Sequence, residues 1–232
     1  MINFKYLTDA NEERIYDYLN NLTNCQGCFC SKVYIRFLHG VTGAPAVDIY
    51  IDGNMVAYNL SLGQITNYVL YYPGNYSIQV YATKDTKNPL IDKVVTFNRN
   101  TAYTIAVAGD INDFDLYIVK EYKNEIPPFN DAVVTYTNFT PIDEAFDLYI
   151  SDGTVLYKDI SYGETMPNVS VFPTDERFDL KYSDINELAA STPMIQLQRN
   201  TYYSLFSILD NNNKVKIIIT ESGLNYLDIC WF

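Results

Sequence analysis

A single histidine in 232 residues leaves little material for imidazole chemistry, since a Ser-His-Asp or Cys-His site would have to be built on His39 alone. Basic residues are scarce as well, 16 Lys and Arg against 28 Asp and Glu, for a net charge of -12. No cluster of Lys and Arg is present to neutralise phosphates, which argues against nucleic acid as a partner. No stretch approaches the roughly 18 apolar residues of a membrane span. The start, MINFKYLTDANEERIYDYL, lacks the apolar run after a basic beginning that marks a secretory signal. As encoded, the chain therefore reads as intracellular. Tryptophan occurs once and tyrosine 22 times, so aromatic area comes mostly with a hydroxyl that needs water or a partner.

What the chain has in quantity is repetition. The stretch VYIRFLHGVTGAPAVDIYIDGNMVAYNLSLG, 33 to 63, is echoed by FDLYISDGTVLYKDISYG, 146 to 163. Gly53 matches Gly153, Ser61 and Gly63 match Ser161 and Gly163, Pro73 matches Pro173, and Arg99-Asn100-Thr101 matches Arg199-Asn200-Thr201. A period near a hundred residues is the size of one compact domain, not of a solenoid repeat. The expected division is an N-terminal segment over 1–31, a first domain over 32–120, a linker over 121–131 with two prolines, and a second domain over 132–232 that includes an apolar tail. The acidity is uneven: residues 121–232 hold 7 basic and 17 acidic side chains, a net -10.

Only residues 9–22 carry a helical period, with Asp9 as N-cap, Glu12 three on, and Ile15, Tyr18, Leu19 and Leu22 on one face. From Lys32 the period becomes two. Val33, Ile35 and Phe37 oppose Tyr34 and Arg36, and Val47, Ile49 and Ile51 oppose Asp48, Tyr50 and Asp52. Asp52-Gly53 and Asp152-Gly153 predict tight hairpins, and further strands are expected near 66–71, 75–82, 90–97, 101–108 and 114–120. The fold class is all-β: two tandem antiparallel β-sandwiches, immunoglobulin- or transthyretin-like, behind a short N-terminal helix.

The run IRFLHGVTGAPAVDIYIDG, followed by NLSLG, YPGNYSIQV and TAYTIAVAG, resembles the bacterial domain-of-unknown-function 4397 family over about residues 33 to 109. Residues 133 to 209 look like a divergent copy, with Phe139-Thr140-Pro141 and Glu144-Ala145 in place of the His and the Ala-Pro-Ala step. The resemblance implies an antiparallel sandwich, often in tandem and commonly on secreted or cell-surface proteins. It brings no catalytic residues.

Three groups are candidates for function. Alternation turns Tyr34, Tyr50, Tyr81, Tyr117 and Tyr149 away from the core, more outward tyrosines than a sandwich needs. They either pack on the other domain or the helix, or form a surface for protein, glycan or a second copy. Cys25, Cys28 and Cys30 read as inert reduced thiols, as redox-active or cross-linking thiols, or as three ligands of a zinc ion that Cys230 or His39 completes. No other cofactor is indicated. His39, just after a strand, reads as a structural residue bonding loop backbone. The expectation is a non-catalytic structural or interaction protein of a surface or spore-type layer, by analogy, with a glycan-binding module as the alternative and a hydrolase behind both.

Overall fold

A computed structural model describes residues 31–121 and 130–229. The period-two segments of the first repeat form β1 (Val33–Val41), β2 (Val47–Ile51), β3 (Asn54–Leu60), β4 (Val69–Tyr71), β5 (Gly74–Ala82), β6 (Ile91–Phe97), β7 (Thr101–Asp110) and β8 (Asp113–Glu121). They make two four-stranded sheets, ordered β4-β1-β7-β8 and β3-β2-β5-β6. Neighbours run antiparallel except β1 and β7, which are parallel from Val33 beside Thr101 to Val41 beside Gly109. Alternate residues of the two sheets, among them Ile35, Phe37, Ile49, Ile78, Val80 and Ile105, close one core between them.

The second repeat contains β9 (Ala132–Asn138), β10 (Phe146–Ile150), β11 (Val155–Ile160), β12 (Val169–Val171), β13 (Asp175–Glu176), β14 (Phe178–Tyr182), β15 (Leu188–Ser191), β16 (Ile195–Gln196), β17 (Tyr202–Leu209) and β18 (Val215–Glu221). Its sheets are ordered β12-β9-β17-β18 and β11-β10-β14-β15, the same plan strand for strand, with β13 and β16 as a separate pair. The strand equivalent to β6 is broken into β15 and β16 around Pro193, which has no N–H to give a ladder.

Side chains repeat along with strands. Asp48 accepts the Asn59 N–H at 2.7 Å and the Thr83 hydroxyl at 2.9 Å, while Asp147 accepts the Asp159 N–H at 2.9 Å and the Ser183 hydroxyl at 2.7 Å. Asn59 and Asp159 both hold positive φ, +53° and +52°, so each buried carboxylate pins an irregular step in its sheet.

The two hairpins differ, and this corrects the register read from the sequence. Asp52 and Gly53 have φ of +48° and +77° and form a two-residue turn between paired Ile51 and Asn54. In the second repeat the Gly153 N–H bonds to the Ile150 carbonyl and the Ile150 N–H to the Thr154 carbonyl, so three residues, Ser151 to Gly153, make the turn. Before the hairpin the repeats are therefore offset by one residue fewer than after it. The Gly63 N–H bonds to the His39 carbonyl at 2.7 Å and the Gly163 N–H to the Asn138 carbonyl at 2.7 Å. His39 corresponds to Asn138, not to Phe139.

The sheet of β1 and β7 lies against the sheet of β9 and β17. Leu38, Ala106, Ala108 and Val119 meet Phe139, Phe206 and Ile208, with the two Phe rings stacked at 5.8 Å. Small residues permit the approach: a Cβ on Gly40 would stand 3.1 Å from the Ile208 Cγ2. Beyond β18, Leu224 and Ile229 pack with Ala102, Val133 and Tyr202, so the apolar tail docks between the sandwiches as far as Ile229. The helix expected over 9–22 lies outside the described residues. Glu121, placed in the linker from the sequence, ends β8.

Candidate functional site

Alternation along β1 turns His39 inward, where it is 0% exposed. Its Nε2 lies 3.1 Å from the Pro45 carbonyl oxygen and its Nδ1 accepts the Val41 N–H at 3.3 Å, which assigns the neutral Nε2–H tautomer. Burial holds its pKa below the usual 6.5, against bonds to the Pro45 and Val107 backbone. A neutral imidazole with both nitrogens engaged by backbone ties the Ala-Pro-Ala step to the strand. Asn138 does the equivalent work: its Oδ1 accepts the Thr140 N–H and the Ser207 hydroxyl, each at 2.9 Å, and its Nδ2 donates to the Ile160 carbonyl at 3.1 Å.

The outward tyrosines do not share one face, because a sandwich has two outsides. Tyr34 and Tyr117 belong to the sheet that meets the second sandwich. Tyr34 packs beside Tyr68, Leu224 and Ile229, and burial raises its pKa against the Lys32 charge and a bond from the Asp228 backbone. Tyr117 sets its ring 5.7 Å from Phe139 and 5.4 Å from Tyr162. Tyr50 and Tyr81 lie on the outer sheet of the first sandwich, edge to face at 5.4 Å. Tyr149 is the counterpart of Tyr50 on the outer sheet of the second. There the neighbour is Lys181, its ammonium 4.3 Å from the ring centroid, where the first sandwich has Tyr81.

The two outer faces have diverged accordingly. Around Tyr149 the face is ionic, with Arg177 held to Asp179 by two bonds of 2.8 Å and Asp179 also accepting the Ser191 hydroxyl. The pair keeps the Asp179 carboxyl low despite partial burial. Around Tyr50 the face is apolar and amide-like: Tyr58 is 65% exposed, Val94 73% and Met55 47%, while the polar side chains Ser77 and Gln79 both donate to Asp92.

The most concentrated polar group was not singled out by the sequence. Among the described residues one ion pair has both side chains buried, Arg36 with Glu121, 3% and 5% exposed and 3.2 Å apart. Arg36 also donates to Thr104 at 2.7 Å and, across to the second sandwich, to the Glu221 carbonyl at 3.1 Å. The Glu121 carboxylate accepts Tyr68, Thr104 and, from the second sandwich, Ser222 at 2.5 Å. The Tyr68 ring lies 4.6 Å from the guanidinium, and burial followed by the Glu121 charge pushes its phenol far above the usual range. The donors and acceptors answer one another. The arrangement orients two sheets and presents no reactive atom. The one available signal was that Arg36 stood at an outward strand position that turned out to be covered.

The model of a domain of unknown function, DUF4397, matches residues 33–149, half of the chain. The chain belongs to the DUF4397 family. The match takes in the whole first sandwich and runs as far as Tyr149 in β10. An uncharacterized protein of Methanocaldococcus jannaschii is 25% identical over 236 aligned residues, covering 94% of this DUF4397 chain and 49% of the relative. The chain spans about half the length of that curated relative, and the alignment passes through both sandwiches. Among solved structures, the C-terminal domain of AlgF from P. aeruginosa is 16% identical with a TM-score of 0.33, covering 40% of this chain and 99% of that one. A family 26 carbohydrate-binding module of Eubacterium rectale, in complex with maltoheptaose, is 8% identical with a TM-score of 0.27, covering 83% and 97%. Neither likeness bears on function.

Two features of this DUF4397 chain remain. A cleft of about 250 Å³ opens between the sandwiches beside Glu121, walled by Thr135, Met166, Asn168 and Leu224; of the network just described, Glu121 and Ser222 line it. The thiols Cys25, Cys28 and Cys30 lie outside the described residues; among the described residues no group of His, Cys, Asp and Glu is arranged to hold a metal. No helix there is long and apolar enough to cross a membrane.

Proposed function

We propose that the chain is a non-catalytic interaction module that assembles with further copies of itself through the outer sheet of its first sandwich, as a building block of a surface or spore-type layer would. The observation that carries this is the difference between two faces of one plan. The face around Tyr149 carries the Arg177–Asp179 ion pair and the Lys181 ammonium over the ring, with Leu188 exposed at its edge, whereas the face around Tyr50 leaves Tyr58, Met55 and Val94 in water. Exposed apolar side chains grouped on one sheet mark a contact surface. Val94 lies on β6, an edge strand, so a second copy can meet both the face and the edge. A glycan is the weaker occupant. Tyr50 and Tyr81 stand at 80° to one another and offer no flat platform, and the adjacent Ser77, Gln79 and Asp92 satisfy each other. Hydrolysis is weaker still, since the sole histidine is enclosed by backbone.

Sedimentation velocity over a concentration series tests this. The parent is expected to associate, and Tyr58→Ser combined with Val94→Ser to stay monomeric at unchanged thermal stability. A parent that is monomeric throughout, or a glycan-array signal lost in Tyr50→Ala, would overturn the reading.

A further inference from the structure

The second sandwich holds a different set of side chains at the places where the first has the Arg36–Glu121 network. Arg36 stands beside Thr104 across β1 and β7, and Thr135 stands beside Ser204 across β9 and β17. Tyr34 is paired with Leu70 and Ala102, and Val133 with Ser170 and Tyr202, so Tyr68 and Asn168, two residues before Leu70 and Ser170, correspond. Glu121 lies opposite Ala102, and the Ser222 N–H bonds to the Tyr202 carbonyl, so these two correspond as well. The counterparts of Arg36, Tyr68, Thr104 and Glu121 are therefore Thr135, Asn168, Ser204 and Ser222. All four counterparts line the cleft of about 250 Å³ between the sandwiches. The cleft opens there because short neutral side chains stand where the first sandwich has a guanidinium, a phenol and a carboxylate.

We propose that this cleft binds a neutral, hydroxyl-bearing ring the size of one sugar, either a free monosaccharide or cyclitol or the end residue of a glycan. Ser204 is 2% exposed, and its side chain faces the first sandwich as those of Tyr202 and Phe206 do. Its hydroxyl has no hydrogen-bond partner among the described residues, whereas Thr104 at the same place takes a bond from Arg36 and gives one to Glu121. The Thr135 hydroxyl makes only a long bond, 3.3 Å, to the Tyr203 carbonyl. These hydroxyls and the Asn168 amide both give and accept hydrogen bonds, as the hydroxyls of a sugar do. Ions fit poorly. The Glu121 carboxylate in the wall is already answered by Arg36, so a cation would enter without a counter-charge of its own. Lys120 is an exposed part of the lining, but residues 121–232 carry a net -10, which opposes an anion. Val119, Met166 and Leu224 supply apolar wall for the C–H faces of a ring. A space of about 250 Å³ falls below the roughly 300 Å³ at which sites for drug-sized ligands begin, which limits the occupant to one ring. The site is separate from the outer sheet of the first sandwich.

The experiment uses the full chain and saturation-transfer NMR with free glucose, galactose, N-acetylglucosamine and myo-inositol, beside the charged glucuronate and glucosamine. Saturable binding of a neutral ring is expected, weakened about fivefold to tenfold by Ser204→Ala. It should be lost when Thr135→Leu and Asn168→Tyr together return bulk to the cleft, with circular dichroism checking that the strands persist. Tyr58→Ser combined with Val94→Ser should leave binding unchanged, so failure of the cleft and failure of self-assembly are read separately. A glycan array distinguishes the two sources: a signal there identifies the end residue of a glycan, and silence beside free-ring binding identifies a soluble ligand. No saturable binding of any neutral ring would overturn the proposal. So would binding that survives in the filled cleft, or tighter binding of glucuronate or glucosamine than of glucose. An affinity that Ser204→Ala leaves unchanged would overturn it even if the filled variant failed to fold.

Discussion

His39 and Asn138 occupy one position of a repeated plan and solve one problem with different chemistry. Each turns a side-chain acceptor onto the N–H two residues on, at Val41 and at Thr140, and each uses a side-chain N–H, of His39 Nε2 or Asn138 Nδ2, to hold a backbone carbonyl. Only the imidazole titrates. Its folded pKa lies below 6.5, so in acid the unfolded chain binds a proton that the folded chain refuses. The stability His39 contributes is present above about pH 6.5 and is lost as pH falls from there toward the folded pKa. His39→Asn should therefore remove part of the acid slope of stability, and His39→Ala should lower stability at neutral pH by about 1 to 3 kcal/mol. Urea unfolding of the three proteins at pH 7.5 and pH 5.5 checks this; equal slopes in parent and His39→Asn would show that the imidazole is not the titrating group. The sequence placed His39 just after a strand, whereas β1 runs on to Val41 and turns it inward; its counterpart was not legible either, because one inserted residue shifts the register silently.

That residue belongs to the hairpins. Asp-Gly marked both turns in the sequence, yet a dipeptide does not count the residues around it, and Ser151 enters one turn but not the other. The first turn needs positive φ at both central positions; Asp52 adopts +48° at modest cost, and Gly53 at +77° meets none of the penalty that a Cβ brings there. At Gly53 a Cβ would meet nothing within 4 Å, so a substitution there reports backbone strain alone. Gly53→Ala is expected to lower stability by about 1 to 2 kcal/mol, read as a fall in urea midpoint at constant slope. No change would mean that the turn relaxes into another type. Strand existence was legible throughout because the period-two pattern is a local property. Strand partners were less so: the parallel pairing of β1 with β7 joins segments some seventy residues apart and leaves no local mark.

Across the whole molecule, the Arg36–Glu121 pair orients one sandwich on the other. Three of its contacts, to the Thr220 hydroxyl, to the Glu221 carbonyl and from the Ser222 hydroxyl, come from the second sandwich. Removing the cation strands a buried carboxylate, so Arg36→Met should lower stability by about 3 to 5 kcal/mol. Glu121→Gln keeps an acceptor for Thr104 and Tyr68 and should cost less. Calorimetry of both variants checks the order, and Arg36→Met is the one expected to let the sandwiches unfold in separate transitions. An unchanged profile for Arg36→Met would mean that the apolar contact of Leu38, Ala106, Ala108 and Val119 with Phe139, Phe206 and Ile208 couples the sandwiches unaided.

By itself the sequence determined what depends on short-range periodicity: all-β class, repetition, hairpin sites, and which side of each strand faces its own core. Only the tertiary structure decided which outward sides are surface. Tyr34, Arg36 and Tyr117 alternate outward as regularly as Tyr50 and Tyr81, but their sheet is covered by the second sandwich and the others' sheet is not. Alternation distinguishes two faces of a strand, whereas burial depends on what a distant part of the chain lays over each face. The same reason hid the meeting of Lys32 with Asp228, a contact made by the stacking of two repeats and written in neither segment.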